Sequence, residues 1–306
     1  MKFYTIAVFC LLFTFLAASC FKQEEIDVSA FPKLSESEID ISDISLSLAR
    51  EFYPKLDKSK YQQMLSEMVA DIKNKTNGIK DPSFRIRVVN RYLFKEKGFK
   101  YDFDDPNVEN PNNRYLNGIL ETKKGSCITF PLLYVALGQK LGYPIYPVLA
   151  PEHFFVRYSD PSLTQQNIEA TSGASEIPDS LYKKDFNISE VGIASGAYLR
   201  TLTYKEYVSE LLAINAIGQL NMKKELNKAL SYVEISLKIS SKTPELYRLK
   251  GHLLFRLSRT ENDPQKALAY TLEADNLLRK AYELGYVKLP REEYLKSIKD
   301  KKTASN

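Results

Sequence analysis

Apolar residues recur at three- and four-residue spacing through much of the chain, and they predict mostly helices. In IDISDISLSLAREFYPKL, the apolar residues Ile44, Leu46, Leu48 and Phe52 predict a helix that ends at Pro54. YQQMLSEMVADIKNK follows, with Met64, Leu65, Met68, Val69 and Ile72 on one side and Gly78 suited to its end. A third helix is expected from Pro82 to Gly98, with the proline placed where a helix tolerates it best. The polar stretch FKYDFDDPNVENPNN reads as a long surface loop, and RYLNGILETKKG as a short helix. From Gly125 the pattern changes. Leu132, Leu133, Val135, Ala136, Leu137 and Leu141 cover most of a helix circumference, which predicts a buried helix stopped at LGYP. PIYPVLAP and HFFVRYSD then read as strands, and NIEATSG as a short third one. Residues 174–200 give no clear element, and from Tyr204 onward the pattern is helical again.

Within that last region, Ala229 and Ser236, then Ala267 and Ala274, repeat small residues seven apart, with Pro244 and Gly251 between them. The spacing resembles two degenerate tetratricopeptide repeats. A plain helical bundle is the simpler alternative. So few repeats would need to pack on the preceding domain.

The N-terminus MKFYTIAVFCLLFTFLAASC has one lysine, an apolar run and then small residues, as a secretory signal does. LAASC resembles the lipobox of bacterial lipoproteins, with Ala17 where leucine is usual and Cys20 as the lipidated residue. An ordinary cleaved signal is the alternative. Residues 20–36 then read as a polar tether. The chain has three cysteines. Cys10 leaves with the signal and Cys20 takes the lipid, so Cys127 is the one free thiol expected in the mature protein. That excludes a disulfide framework and a cysteine-based zinc site. The net charge of +5 is mild for 306 residues, the lysines are interleaved with acids, and no nucleic-acid footprint results. No Gly-rich phosphate loop, HExxH or acidic calcium loop occurs, and no cofactor or metal is implied.

The candidate chemistry lies in GSCITFPLLYVALGQKLGYPIYPVLAPEHFFVRY. Cys127 is expected at a helix start, where unpaired amides and the helix dipole favour a thiolate and can hold an oxyanion. His153 begins a strand on the face shared by Phe155 and Arg157, and could serve as base and acid toward that thiol. Glu169 could orient the imidazole, with Asn167 as substitute. Asn117, Tyr115 and Glu121 are candidates for a second oxyanion donor. Arg157 reads as a salt-bridge partner or a substrate-carboxylate ligand, and His252 as structural. The bland alternative is that Cys127 and His153 are both core residues.

The order of these motifs is similar to that of the transglutaminase-like superfamily, whose triad runs Cys, His, Asp. The longer blocks, among them NRYLFKEKGFKYDF and PEHFFVRY, resemble a bacterial family that couples such a core to tetratricopeptide repeats, over roughly Glu38 to Tyr286. Glu169 stands where the superfamily usually has Asp, and many members of that family lack the cysteine.

The resemblance implies an α+β protein with a papain/transglutaminase-like core, a helical N-terminal part and C-terminal helical repeats. The expected divisions are 1–19 signal peptide, 20–36 lipidated tether, 37–200 transglutaminase-like domain and 201–306 helical region. The function implied is acyl transfer or hydrolysis at a peptide or protein amide by Cys127, His153 and Glu169. The alternative from another class is a non-catalytic scaffold or peptide-binding protein that holds a partner on its repeats. A third reading is cleavage of a single cell-envelope partner held there. The expected location is the cell envelope, anchored through the lipid on Cys20.

Overall fold

The computed structural model describes residues 26–164 and 166–288. The expected signal, Cys10, Cys20 and the first part of the tether lie outside the described residues. The helices begin as the sequence directs: α1 (Ile41–Ala49), α2 (Lys58–Lys75) and α3 (Pro82–Arg91) each follow an aspartate whose carboxylate accepts a first-turn N–H, from Asp43, Ser59 and Ser83 respectively. The last turn after α3, Tyr92–Glu96, widens to π geometry. The expected loop before Asn113 contains strand β1 (Lys100–Tyr101), which pairs in parallel with β2 (Lys124–Gly125), and α4 (Leu116–Thr122) lies between them.

Helix α5 (Thr129–Leu141) is the centre of the core. Phe130, Leu132, Leu133, Tyr134, Val135, Ala136 and Leu137 are all at most 1% exposed, as expected for a helix apolar on every side. It ends at Gly142, whose φ of +71° suits glycine. The antiparallel sheet β3 (Ile145–Ala150), β4 (His153–Tyr158) and β5 (Asn167–Ile168) packs against α5, in the order β3-β4-β5. The approach is close: a Cβ at Gly138 would lie 2.8 Å from the Ile145 Cβ, so only glycine fits there unshifted.

The sheet's third strand is shorter than NIEATSG suggests. It stops at Ile168, because the Glu169 carboxylate accepts the Thr171 N–H and turns the chain into a short 3-10 helix, Ala170–Ser172. Residues 174–200, unassigned from the sequence, hold α6 (Asp179–Asp185) and α7 (Glu190–Ala194).

The C-terminal half is helical: α8 (Tyr204–Gly218), α9 (Leu226–Ile239), α10 (Pro244–Ser258) and α11 (Pro264–Glu283). Ala229, Ser236 and Ala274 are buried between them, and a Cβ at Gly251 would meet the Ala274 carbonyl of α11 at 3.2 Å. These helices are tied to the sheet. The Leu199 N–H donates to Leu149 O at 3.0 Å, Thr201 bridges Val148, and the Phe154 ring meets Tyr207 of α8 edge-on. Residues 26–36 of the expected tether are also docked: Phe31 is buried, and the Lys205 ammonium donates to Pro32 O at 2.8 Å. The described residues thus form a mostly helical α+β protein with two small sheets. Among the described residues no helix is long and apolar enough to cross a membrane.

Candidate active site

Cys127 lies two residues ahead of the helix that it is expected to start. Helix α5 starts at Thr129, and the Ser126 hydroxyl accepts the N–H groups of Ile128 (3.0 Å) and Thr129 (3.2 Å). The serine therefore caps the turn, and Cys127 stands in it just ahead of the helix. The Cys127 backbone N–H bonds to no described residue, so it remains available as a donor. Ser126 in turn donates to Asn113 O at 2.7 Å, which ties this turn to the Asp- and Asn-rich loop.

His153 is the first residue of β4, opposite Ala150 in the hairpin. The two-residue turn before it holds Glu152 at a φ of +53°. His153 Nε2 donates to Glu169 Oε2 at 2.7 Å, and both side chains are buried. The Glu169 carboxylate is fully engaged. Its Oε2 also accepts the Tyr182 hydroxyl (2.7 Å), and its Oε1 accepts the Thr171 N–H (3.0 Å) and hydroxyl (2.6 Å). Aromatic rings fix the imidazole: it stacks on Phe186 at 5.1 Å, and Phe155, on the same face of β4 as His153, stacks on Tyr182 at 3.9 Å.

Burial alone would drive the His153 proton off, but the Glu169 carboxylate outweighs it, aided by the nearby Cys127 sulfur, and the imidazolium is held up to about 10. Burial likewise opposes the Glu169 charge, and His153, Thr171 and Tyr182 overcome it, so its carboxyl falls to about 2. His153 Nδ1 is buried and makes no hydrogen bond. The imidazole thus spends one nitrogen on its orienting carboxylate and keeps the other free on the side where Cys127 lies.

Cys127 and His153 line one cavity of about 490 Å³. Leu149 and Phe154 line it from the sheet, and Ala213, Ile214 and Ile217 of α8 with Leu246 and Leu249 of α10 line it from the C-terminal helices. These helices also bring two carboxyl groups to the lining. Burial raises Glu210 to about 8, opposed by the Thr243 hydroxyl that donates to it at 2.7 Å. Burial raises Glu245 to about 7, opposed by the Tyr198 hydroxyl at 2.6 Å.

Several sequence candidates lie elsewhere. Tyr115 donates to Asn215 at 2.8 Å, Glu121 pairs with Lys60 and Tyr61, and neither these two nor Asn117 lines the cavity. Arg157 is an ion-pair residue: it bonds Asp179 at 2.8 Å and Asn167 Oδ1 at 2.7 Å. Asn167 is thereby occupied and does not substitute for Glu169. His252 lines a separate cavity with Arg248 and Tyr286. Tyr182, Thr171 and Phe186 were not foreseen from the sequence. The signal available was an aromatic pair, Tyr182 and Phe186, four apart in a segment without a clear element.

Comparison with known proteins points to the same segment. The chain is 31% identical over 113 residues to a UPF0162 protein of Xylella fastidiosa (strain Temecula1 / ATCC 700964), covering 37% of this chain and 40% of that protein. It is 26% identical over 149 residues to a UPF0162 protein of Buchnera aphidicola subsp. Baizongia pistaciae (strain Bp), covering 47% and 53% respectively. The chain therefore spans about half or less of the length of these curated relatives. No solved structure matches it. The family model described as Transglutaminase-like superfamily matches residues 59–184, so this segment, which holds Cys127, His153 and Glu169, is a transglutaminase-like superfamily domain.

Proposed function

We propose that the chain is a cysteine acyltransferase or hydrolase that acts on a peptide or protein amide, with Cys127 as nucleophile, His153 as proton carrier and Glu169 as its orienting residue. The carrying observation is the 2.7 Å bond from His153 Nε2 to Glu169, with Nδ1 left free in a cavity shared with Cys127. The Cys127 thiolate attacks the amide carbonyl carbon, and the negative charge moves to the carbonyl oxygen, toward which the unpaired Cys127 N–H can donate. The C–N bond breaks as Nδ1 gives its proton to the leaving amine, leaving a thioester. Water or a second amine then attacks the thioester, gives its proton to Nδ1 and releases the thiolate.

The LAASC motif supports an exported chain anchored through lipid on Cys20. The buried small residues of α9–α11 support a degenerate tetratricopeptide region that holds a protein partner.

Thiol labelling tests the reading. Iodoacetamide should modify Cys127 at pH 6 about 100-fold faster in the wild-type protein than in His153→Ala, since an isolated thiol is almost wholly protonated there. Equal rates in a folded variant would leave a non-catalytic binding platform as the better account.

A further inference from the structure

The cavity contains a second cation that the triad does not use. Arg114 follows the 3-10 turn Pro111–Asn113 and is 7% exposed, yet it lines the cavity beside Cys127. Its position relative to the nucleophile is set by its neighbour. Asn113 O accepts the Ser126 hydroxyl at 2.7 Å, and Asn113 Nδ2 donates to Asp102 and Asp105 at 3.0 and 2.8 Å. Arg114 Nε donates to Val108 O at 2.9 Å, and Nη1 has only the Met222 sulfur, at 3.6 Å. No carboxylate of the described residues is within ion-pair distance of it. That is unusual, because a buried guanidinium without a counter-charge is costly. Glu210 and Glu245, which also line the cavity, form no ion pair with it, and burial raises both above the usual carboxylate range.

We propose that Arg114 binds a carboxylate of the substrate, so that the site takes peptides with a free carboxylate close to the amide carbonyl attacked by Cys127. A peptide C-terminus and an acidic side chain share this chemistry. A guanidinium presents donors in a planar fork that matches a carboxylate, and a desolvated pocket strengthens the pairing. Arg248 is the competing candidate. It also lines the cavity without an ion-pair partner, but its guanidinium lies 5.2 Å from the Tyr286 ring, and it is shared with the second cavity.

The proposal rests on Cys127 being the reacting atom of the site, and the test separates the two ideas. Full-length protein is treated with iodoacetate, which carries a carboxylate, or with neutral iodoacetamide. Modification is read at Cys127 by peptide mass spectrometry. The ratio of the iodoacetate to the iodoacetamide rate should exceed that of glutathione about tenfold. The ratio should fall back in Arg114→Gln and be partly kept in Arg114→Lys, whose charge remains without the fork. A wild-type ratio equal to that of glutathione overturns the proposal without requiring any variant to fold. So does a ratio that survives Arg114→Gln or falls further in Arg248→Gln. If His153→Ala leaves iodoacetamide labelling unchanged, the catalytic reading fails while the ratio still reports on Arg114. With carboxylate recognition established, peptides ending in a free carboxylate, peptides ending in an amide, and the same pair with an internal glutamate distinguish the two sources.

Discussion

Two buried carboxyls, one behind His153 and one in the cavity lining, are held in opposite states. Glu169, behind His153, is held ionised, while Glu210, on α8, is held protonated at neutral pH. Their exposures are nearly equal, at 3% and 5%, so burial does not decide between them. Their partners do. Glu169 accepts from an imidazolium, a phenol, a hydroxyl and a backbone N–H, whereas Glu210 accepts from the Thr243 hydroxyl alone. A buried carboxylate keeps its charge where donors and an opposite charge replace the water it lost. The site is therefore built to hold an ion pair beside the thiol, while Glu210 on α8 is kept uncharged at neutral pH.

The largest change should come from removing the charge on Glu169. Glu169→Gln should cost about 3 kcal/mol near pH 6, because it leaves the rest of a buried pair uncompensated. The sign of the pH dependence follows from the shifts. His153 is raised, so its contribution is complete below pH 6.5 and is lost as pH rises through about 10. Glu169 is lowered, so its contribution is complete above pH 4.5 and is lost as pH falls toward 2. Denaturant melts of the two proteins should thus differ most between pH 4.5 and 6.5, and converge toward both extremes. A gap that is flat with pH would break the contrast.

A smaller effect of opposite sign is expected at Glu210. Glu210 is raised by burial, so the wild-type protein loses stability as pH climbs from 4.5 through about 8. Glu210→Gln can still accept from Thr243 and cannot ionise. It should match the wild type at pH 5 and exceed it by on the order of 2 kcal/mol at pH 9. Thermal melts at the two pH values measure this, and a variant less stable at pH 9 would mean that Glu210 is charged and paired. The smallest effect should come from Tyr182→Phe, which keeps the stack on Phe155 and deletes one donor to Glu169. A loss of about 1.5 kcal/mol is expected, with the acid limb of the stability profile moved upward in pH.

Much of the site around His153 can be read in the sequence because its signals are local. A helix apolar on all sides, a hairpin beginning at His153 and a carboxylate 16 residues later are patterns within one stretch, and strand alternation correctly places His153 and Phe155 on one face. The helix start is misread by two residues: the Ser126 hydroxyl accepts the Ile128 and Thr129 N–H groups, and this leaves Cys127 in a turn ahead of α5. The helical part of the lining is not legible, because nothing in the spacing of α8 or α10 indicates which side faces the nucleophile. Tyr182 is hidden for a similar reason: its role depends on meeting Glu169 across the fold, and its own helix is only seven residues long. The small-residue spacing of the C-terminal helices does foresee close packing, as at Ala229 and Ala274, but it does not identify their other face as the roof of a cavity.

The tie between Ser126 and Asn113 has a further meaning. The peptide of Arg114 begins at the carbonyl that receives the serine hydroxyl, so the residue that would choose the substrate and the residue that would attack it hang from a single bond. The apolar lining stands on separate helices, α8 and α10, and meets this loop through other contacts, such as the Tyr115 hydroxyl donating to Asn215. Selectivity for shape and selectivity for charge therefore rest on different residues. The helices can drift through substitution and admit differently shaped peptides, while a change at Ser126 or Asn113 alters anion choice and reactivity together.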